Sequence, residues 1–393
     1  MAGALDGLRI LDLSRILAGP TCTQLLGDLG AEVIKIENPA TRGDDTRTWG
    51  PPFVTGIDGQ PTDLSAYFMS ANRNKLSVAV DIATEEGQAT IRALVAQCDV
   101  FIENFKPGGL LKYGLDHASL RQAHPALVYC SISGYGQTGP NAAKPGYDLM
   151  AQGFGGIMSL TGASDGEPMK VGVGIADVMC GMYATVGILA ALRHRDATGQ
   201  GQHVDVALVD SQIAWLINEG VNYLTSGQVP QRRGNAHPNI VPYQVFAARD
   251  GHLLVAVGND GQFARFCDYL AVPHLATDPR YATNPARLAN RETLIAALEP
   301  LLAARPMADI VAGLEARGVP VGPVQTLDQV FASEQVAARG MVAEVACDHA
   351  QTGHVRLVGN PLHLSASPVS YRRAPPRFGQ DTAEVLARLL PKG

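Results

Sequence analysis

Residues 8–14 read LRILDLS, residues 21–30 TCTQLLGDLG and residues 31–37 AEVIKIE: an aliphatic run, a helical stretch and a second aliphatic run. The alternation continues through KLSVAVDI (75–82), EEGQATIRALVAQC (85–98), DVFIEN (99–104), SLRQAHP (119–125) and ALVYCSIS (126–133). Short apolar runs separated by helical periodicity signal parallel strands, because a parallel connection needs a crossover helix to carry the chain back along the sheet. Ala18, Gly19 and Pro20 punctuate the first strand-to-helix passage, and Gly30 sits where a helix C-cap is expected. The expected fold class is α/β, a doubly wound parallel-sheet large domain with a smaller α+β domain.

Working outward, residues 134–201 shift to glycine and small side chains, which lets backbone approach backbone or a ligand closely. Within them VGVGIA (171–176) reads as a strand and VMCGMYATVGILAAL (178–192) as a small-residue helix ending at the Arg193-His194-Arg195 and Gly199 signals, which puts Asp177 at the junction. From about residue 251, HLLVAVGND and the helical runs DGQFARFCDYLA, PARLANRETLIAALEPLLAA and MADIVAGLEARG make a candidate small domain. The tail returns to strand-like HVRLVGNPLHLS and a last helix, DTAEVLARLL, expected to pack on the first domain. The expected boundaries are 1–225 for the N-terminal part of the large domain, 226–325 for the small domain with its connectors, and 326–393 for the return.

The 393 residues are 46% hydrophobic and 17% charged, with 42 Gly and 25 Pro, a composition that excludes disorder and coiled coil. A net charge of -6, from 31 Lys plus Arg against 37 Asp plus Glu, argues against a general nucleic-acid binder. The 6 cysteines show no C-x-x-C pair and the 10 histidines no metal-ligand spacing, so neither disulfides nor a metal is expected. The first turn, SRILAGPTCTQ, lacks G-x-G-x-x-G, so a nicotinamide site is unsupported, and no G-x-S-x-G elbow supports Ser/His/Asp hydrolysis. MAGALDGLRILDLS carries no secretory pattern, and the apolar stretch 178–192 falls short of the ~20 residues of a membrane span. A cytoplasmic protein with no membrane partner is expected.

Asp177 leads the candidates for chemistry. A carboxylate at a helix start meets unpaired N–H groups and the positive dipole end, which favour an ionised nucleophile; the alternative is a structural N-cap. Tyr147 and Asp148 in PGYDLMAQG could line a pocket or serve as packed ring and turn former. Arg47 in GDDTRTWGPPF could clamp a carboxylate or simply pack beside Trp49. Lys75 in ANRNKLSVAVD could hold a phosphate or be solvated, and His237 in GNAHPNIVPYQVF could be a bystander.

Taken together, LDGLRILDLSRILAGP, LGDLGAEVIKIE, GDDTRTW, NRNKLSVAVD, IENFKPG, GYGQTGP, PGYDLMAQG, GIADVMCGMYATVGILAAL, GNAHPNIVPYQVF and RGVPVGPV resemble the family III CoA-transferases over nearly the whole chain. DDTRTWGPPF, NRNKLSVAV, SISGYGQTGP and VPYQVF resemble the succinate-hydroxymethylglutarate CoA-transferase branch. The resemblance implies CoA transfer from succinyl-CoA to a dicarboxylic acid through aspartyl anhydride and aspartyl-CoA thioester intermediates, with CoA esters as substrates, no metal and an interlocked homodimer. By the same resemblance Asp177 is the catalytic aspartate, and Lys75, Asn104, Lys112 and Tyr113 lie along CoA. Asn38 stands where family members often have Arg, with Arg42 a possible substitute, and Leu17 replaces the formyl-CoA transferase Gln. Racemases of the superfamily carry a His where this chain has Tyr147, and a phenol of ordinary pKa ~10 is a poor second base. A racemase and a non-catalytic CoA-binding protein are the alternative readings. Arg47 is the expected anchor for the distal carboxylate, and backbone N–H groups at 153–156 are candidate oxyanion donors.

Overall fold

The computed structural model describes residues 3–390. Its strands are β1 (Arg9–Asp12), β2 (Glu32–Glu37), β3 (Phe53–Thr55), β4 (Pro61–Ser65), β5 (Lys75–Ala79), β6 (Val100–Glu103), β7 (Val128–Ser133), β8 (His203–Ala207), β9 (Tyr243–Ala248), β10 (Gly251–Ala256), β11 (Val321–Pro323), β12 (Val342–Ala346) and β13 (His354–Val358). The helices that position the site are α1 (Ala18–Asp28), α2 (Ala66–Ser70), α3 (Glu85–Val95), α4 (His117–Ala123), α5 (Asp148–Phe154), the short α6 (Ile157–Leu160) and α7 (Ile175–Thr198).

A six-stranded parallel sheet has the order β5-β2-β1-β6-β7-β8. Ile10 pairs with Val33 and Val100, and Val100 with Val128. Because side chains alternate across a pleat, these four share one face, where α1 and α7 cover them. Their neighbours Leu11, Ile34, Phe101 and Tyr129 share the other, covered by α3, α4 and the helix Thr382–Leu389. The chain steps outward from β1 through β2 to β5, then returns to the opposite side of β1 as β6. That reversal is a topological switch point, where open α/β sheets hold their ligands beyond the carboxyl ends of the strands.

α1 tolerates Pro20 in its first turn and ends before Gly30, whose φ of 119° closes the turn into β2. α7 runs for 24 residues to Gly199, φ 75°. By length and composition it could cross a membrane; in this fold its Ala176, Cys180, Ala184, Ile188 and Ala191 side packs into the sheet core. The expected strand at 171–176 does not form. Residues 171–174 are bent chain and the helix begins at Ile175, consistent with glycine at every second position weakening a strand and with Asp148 starting the helix, described below.

The described chain divides into two compact units, 1–157 with 170–228 and 334–393, and 158–169 with 229–333. The sequence reading assigned 158–169 to the first domain. Its position in the second follows from local bonds: Arg232 donates to the Ala163 and Gly166 carbonyls at 3.3 and 2.7 Å. The second unit is built on the antiparallel sheet β11-β10-β9, with helices Asp260–Tyr269, Arg291–Ala303 and Met307–Glu315 packed around Phe263, Leu294, Leu298 and Ile310.

The C-terminal return is locked into the first unit by polar ties. Buried Asp28 accepts from Arg73 Nη2 (2.6 Å), Asn74 Nδ2 (2.8 Å) and Asn360 Nδ2 (2.9 Å). Arg372 donates to the Gly27, Gly30 and Ala31 carbonyls, satisfying the C-terminal end of α1. Val385 of the last helix joins the core of the first unit.

Candidate active site

Asp177 lies in the first turn of α7 and is 8% exposed. Gly174 and Gly181 share its face of the helix, being three residues before it and four after it. A Cβ on Gly174 would come 3.0 Å from Leu17 Cδ2, and one on Gly181 2.5 Å from the Ala18 carbonyl oxygen. The face of α7 that carries Asp177 is therefore packed on the N-terminus of α1. There the N–H groups of Leu17 and Ala18 have no acceptor among the described residues. The first turn of α1 thus brings unpaired donors and a positive dipole end to the aspartate's side.

The cleft they share has a volume of about 570 Å³. Its wall is formed by Arg15–Ala18 after β1, Asn104–Pro107 and Gly109 after β6, Ser133 and Gly134 at the end of β7, and Lys144–Tyr147, with Asp45, Trp49 and Asp177. These are the carboxyl ends of strands on both sides of the β1/β6 switch point. Asn104 fixes the wall: its Nδ2 donates to the Arg15 carbonyl at 2.8 Å and its Oδ1 accepts the Arg15 N–H at 3.0 Å. Gly134 and Gly146 meet backbone to backbone, too closely for any side chain.

Asp177 was expected to be held ionised by the N–H groups of its own helix. Those groups are taken by Asp148, whose Oδ1 accepts from Ala176 (2.8 Å) and Asp177 (3.3 Å) while its Oδ2 accepts from Gln152 Nε2 (2.7 Å). The carboxylate of Asp177 has no donor among the described residues, and burial, reinforced by the Asp148 charge, pushes its pKa up to about 7. A free carboxylate of raised basicity is a stronger nucleophile than an ordinary one. Tyr67, in α2, feels the same charges: burial and then Asp177, Asp148 and Asp44 push its phenol pKa up, so it remains a donor.

The structure brings Asn104, Tyr147 and Asp177 to one cleft and separates the other candidates from it. Asp148 acts on the helix rather than lining the cleft. Lys75 was expected beside phosphates. Its ammonium is enclosed, donating to Asn72 Oδ1 (3.0 Å), the Pro20 carbonyl (3.0 Å) and Asp12 Oδ2 (3.3 Å), and burial lowers its pKa to about 8 against the opposing pull of Asp12. Arg47 was expected to clamp a substrate carboxylate. It is 3% exposed, stacked on Phe68 and committed to Glu37, 2.6 Å from Oε1 and 2.9 Å from Oε2, with Asp63 at 3.3 Å. A guanidinium already neutralised in this way has no free face for an anion.

Lys112 is exposed, 4.7 Å from the Tyr113 ring centre, and neither lines the cleft. Arg42 is an exposed turn residue with φ 56°. His237 belongs to the second unit, where its Nδ1 accepts the Asn239 N–H at 3.1 Å. The N–H groups of Gly155 and Gly156 bond the Ala151 and Gly153 carbonyls, so they are not free oxyanion donors. The cations that do line the cleft are Arg15, Lys106 and Lys144. Arg15 pairs with Asp45 at 2.7 Å, whereas Lys106 and Lys144 have no ion pair among the described residues. A basic residue one to a few positions beyond an aliphatic run, as in LDLSR and FIENFK, was the available signal for the first two.

The CoA-transferase family III profile matches residues 5–382. The chain belongs to this family. A succinate–glutarate CoA-transferase of Agrobacterium fabrum is 47% identical over 385 residues, 98% of this chain and 95% of that one. The human succinyl-CoA:glutarate CoA-transferase is 42% identical over 386 residues, 98% of this chain and 86% of that one. A crystal structure of a CaiB/BaiF family protein from Brucella suis, 47% identical, superimposes with a TM-score of 0.88 over 99% of this chain and 100% of that one. CoA-transferases use CoA thioesters as substrates, and in the cleft the ammonium groups of Lys106 and Lys144 have no ion pair among the described residues.

Proposed function

We propose that the protein transfers CoA from succinyl-CoA to glutarate or a closely related dicarboxylic acid, with Asp177 as nucleophile. The observation that carries this reading is the unpartnered carboxylate of Asp177, buried beside the open N-terminus of α1. The substrate pair is supported by the names of the similar transferases.

In this mechanism an Asp177 oxygen attacks the succinyl-CoA carbonyl. The tetrahedral oxyanion collapses, the C–S bond breaks, and an aspartyl-succinyl anhydride and CoA thiolate result. Thiolate then attacks the Asp177 carbonyl, releasing succinate and leaving an aspartyl-CoA thioester. The acceptor carboxylate attacks that carbonyl and expels thiolate, giving the second anhydride. Thiolate finally attacks its acyl carbon, producing the new acyl-CoA and regenerating Asp177. Each step trades one activated acyl for another, and no net proton is taken up. The Leu17 and Ala18 N–H groups would serve the oxyanions, whose stabilisation by fixed donors is worth about 3–4 kcal/mol per donor in acyl transfer.

Lys106 and Lys144 offer charge to the CoA phosphates. A cavity of about 200 Å³ shares Arg15 and Phe105 with the cleft and continues to Ile36, Asn38, Val80 and Ile82, apolar surroundings that suit the base. Asn38 lies on its wall. An interlocked homodimer is part of the same reading: Met182, Tyr183 and Val186 on α7 and Val221 and Leu224 on the helix Ile217–Ser226 expose apolar surface of the kind interfaces cover.

The test is mass spectrometry of CoA esters after incubation with succinyl-CoA and a mixture of dicarboxylic acids, beside Asp177→Ala. New acyl-CoA species made by the wild type alone are expected. If only succinyl-CoA and free CoA remain, the reading fails.

A further inference from the structure

Ile16 has a backbone φ of 71°, a conformation a β-branched residue adopts only when its surroundings impose it. The imposition comes from a buried ion pair. Asp44 Oδ1 and Oδ2 accept the Ile16 N–H at 3.2 and 3.3 Å. Lys35, 2.9 Å from Asp44 Oδ2, donates at 2.8 Å to the Ser14 carbonyl. One pair thus grips both ends of the Ser14–Ile16 turn. Asp44 is aimed by Thr46, whose N–H and hydroxyl donate to Oδ1 at 3.1 and 2.8 Å. Both charged side chains are fully enclosed, and neither lines the cleft.

Buried ion pairs are weak contributors to net stability compared with apolar packing, so a pair placed beneath a strained turn has a positional use. Ile16, Leu17 and Ala18 line the cleft. If Ile16 relaxed to negative φ, the chain would enter α1 from another direction, and the Leu17 and Ala18 N–H groups would leave the Asp177 face of α7. We infer that Asp44, seated by Lys35, is a positioning residue for acyl transfer, keeping Ile16 left-handed so that the α1 donors stay fixed beside Asp177. It acts through the turn and touches neither substrate nor reacting atoms. The inference rests on the reading of Asp177 as nucleophile.

The test is Asp44→Asn in the full-length protein, alone and combined with Ile16→Gly. Glycine adopts positive φ freely, so the turn no longer needs its clamp. In Asp44→Asn, kcat falls roughly ten- to a hundredfold, the scale of a misplaced catalytic group, while the KM for succinyl-CoA stays within about twofold. Adding Ile16→Gly recovers most of the lost kcat. If Asp44 served only to neutralise Lys35, glycine at 16 would restore nothing, because the Lys35–Asp44 pair would still be broken. Wild-type kcat in a folded Asp44→Asn, or no recovery in the double variant, overturns the inference.

Where Asp44→Asn does not fold, Thr46→Val leaves both charges in place and removes one hydrogen bond that aims Asp44. A several-fold loss of kcat reversed by Ile16→Gly is then expected, and an unchanged kcat overturns the inference. Hydrogen exchange of a peptide spanning residues 14–21 reads the turn without reference to activity. Faster exchange there in the folded variant, with the rest of the chain unchanged, is expected, and unchanged exchange overturns the clamp. A wild type that transfers no CoA at all would sink the proposed function, while this exchange measurement would still decide the turn.

Discussion

Asp148 accepts the backbone N–H of Asp177 at 3.3 Å, so the carboxylate that seats the first turn of α7 also places a like charge beside the Asp177 carboxylate. Seating and tuning are done by one side chain. Asp148→Asn separates them, because the amide oxygen still accepts while the charge is gone. In the wild type, activity falls as pH drops through about 7, where Asp177 takes up a proton. In Asp148→Asn that acid limb moves to lower pH, yet burial keeps it above the ordinary carboxylate range. Asp148→Ala also strips the helix start of its acceptor and loses about 1 kcal/mol of stability. A pH–rate profile with its limb unmoved in the Asn variant would remove Asp148 from this role.

The same shift makes Asp177 a burden on the fold. Its folded pKa of about 7 lies above the unfolded value of 3.8, so the folded state holds the proton more tightly. The contribution of Asp177 to stability is therefore greatest in acid and declines as pH rises from the unfolded pKa through the folded one. With 1.36 kcal/mol per unit, the full cost above neutrality reaches about 4 kcal/mol. Asp177→Asn is therefore inactive and more stable than wild type in mild alkali, with the gain vanishing toward pH 4. Denaturant titrations at acid and alkaline pH check it; equal stabilities at both would mean the carboxyl is not desolvated.

Arg47 and Lys144 give opposite phenotypes. Arg47→Met leaves Glu37 buried without its partner and costs about 3–5 kcal/mol of stability. The surviving folded protein keeps its acceptor KM. Lys144→Met leaves stability within about 0.5 kcal/mol and raises the KM for acyl-CoA, an effect that shrinks with added salt. An acceptor KM that climbs in Arg47→Met without loss of stability would return Arg47 to the substrate.

At Gly181 a single methyl group is enough. Its Cβ would meet the Ala18 carbonyl 2.5 Å away, so Gly181→Ala pushes α1 from α7, costs about 1–3 kcal/mol as overpacking does and lowers kcat more than KM. Thermal melts and steady-state kinetics together read this, and wild-type values of both would show that the helices have room to spare.

Tyr147 lines the cleft, and on the racemase reading it would have to act as the second base beside Asp177. Incubation with a 2-methylacyl-CoA in heavy water is expected to leave the α hydrogen in place, as followed by mass spectrometry. Deuterium incorporation lost in Tyr147→Phe would favour the racemase reading.

The alternation of LRILDLS, TCTQLLGDLG and AEVIKIE made the parallel sheet legible, because each run carries its own periodicity. The position of β6 beside β1 was not, since register between strands far apart in the chain is decided by tertiary packing. Asp177 was legible as a helix-start carboxylate, whereas the N–H groups expected to keep it ionised are taken by Asp148, 29 residues earlier. Lys75 and Arg47 misled for one shared reason. A sequence shows that a side chain is charged, but their carboxylates, Asp12 at the end of β1 and Glu37 at the end of β2, are brought to them only once the sheet is assembled. VGVGIA misled through Val and Ile, whose strand preference lost to the glycines between them and to the helix that Asp148 starts.

Asp28 links α1 to Asn360, a separation of 332 residues. A chain emerging from the ribosome can wind α1 and lay down β1 and β2 long before that partner exists. Until the last segment arrives, the carboxylate shares only Arg73 and Asn74, and the carbonyls that Arg372 will cover stay open to water. The support beneath Asp177 is thus completed only by residues from 360 onward, and a chain interrupted before Asn360 lacks these ties although all six strands of its central sheet are already present.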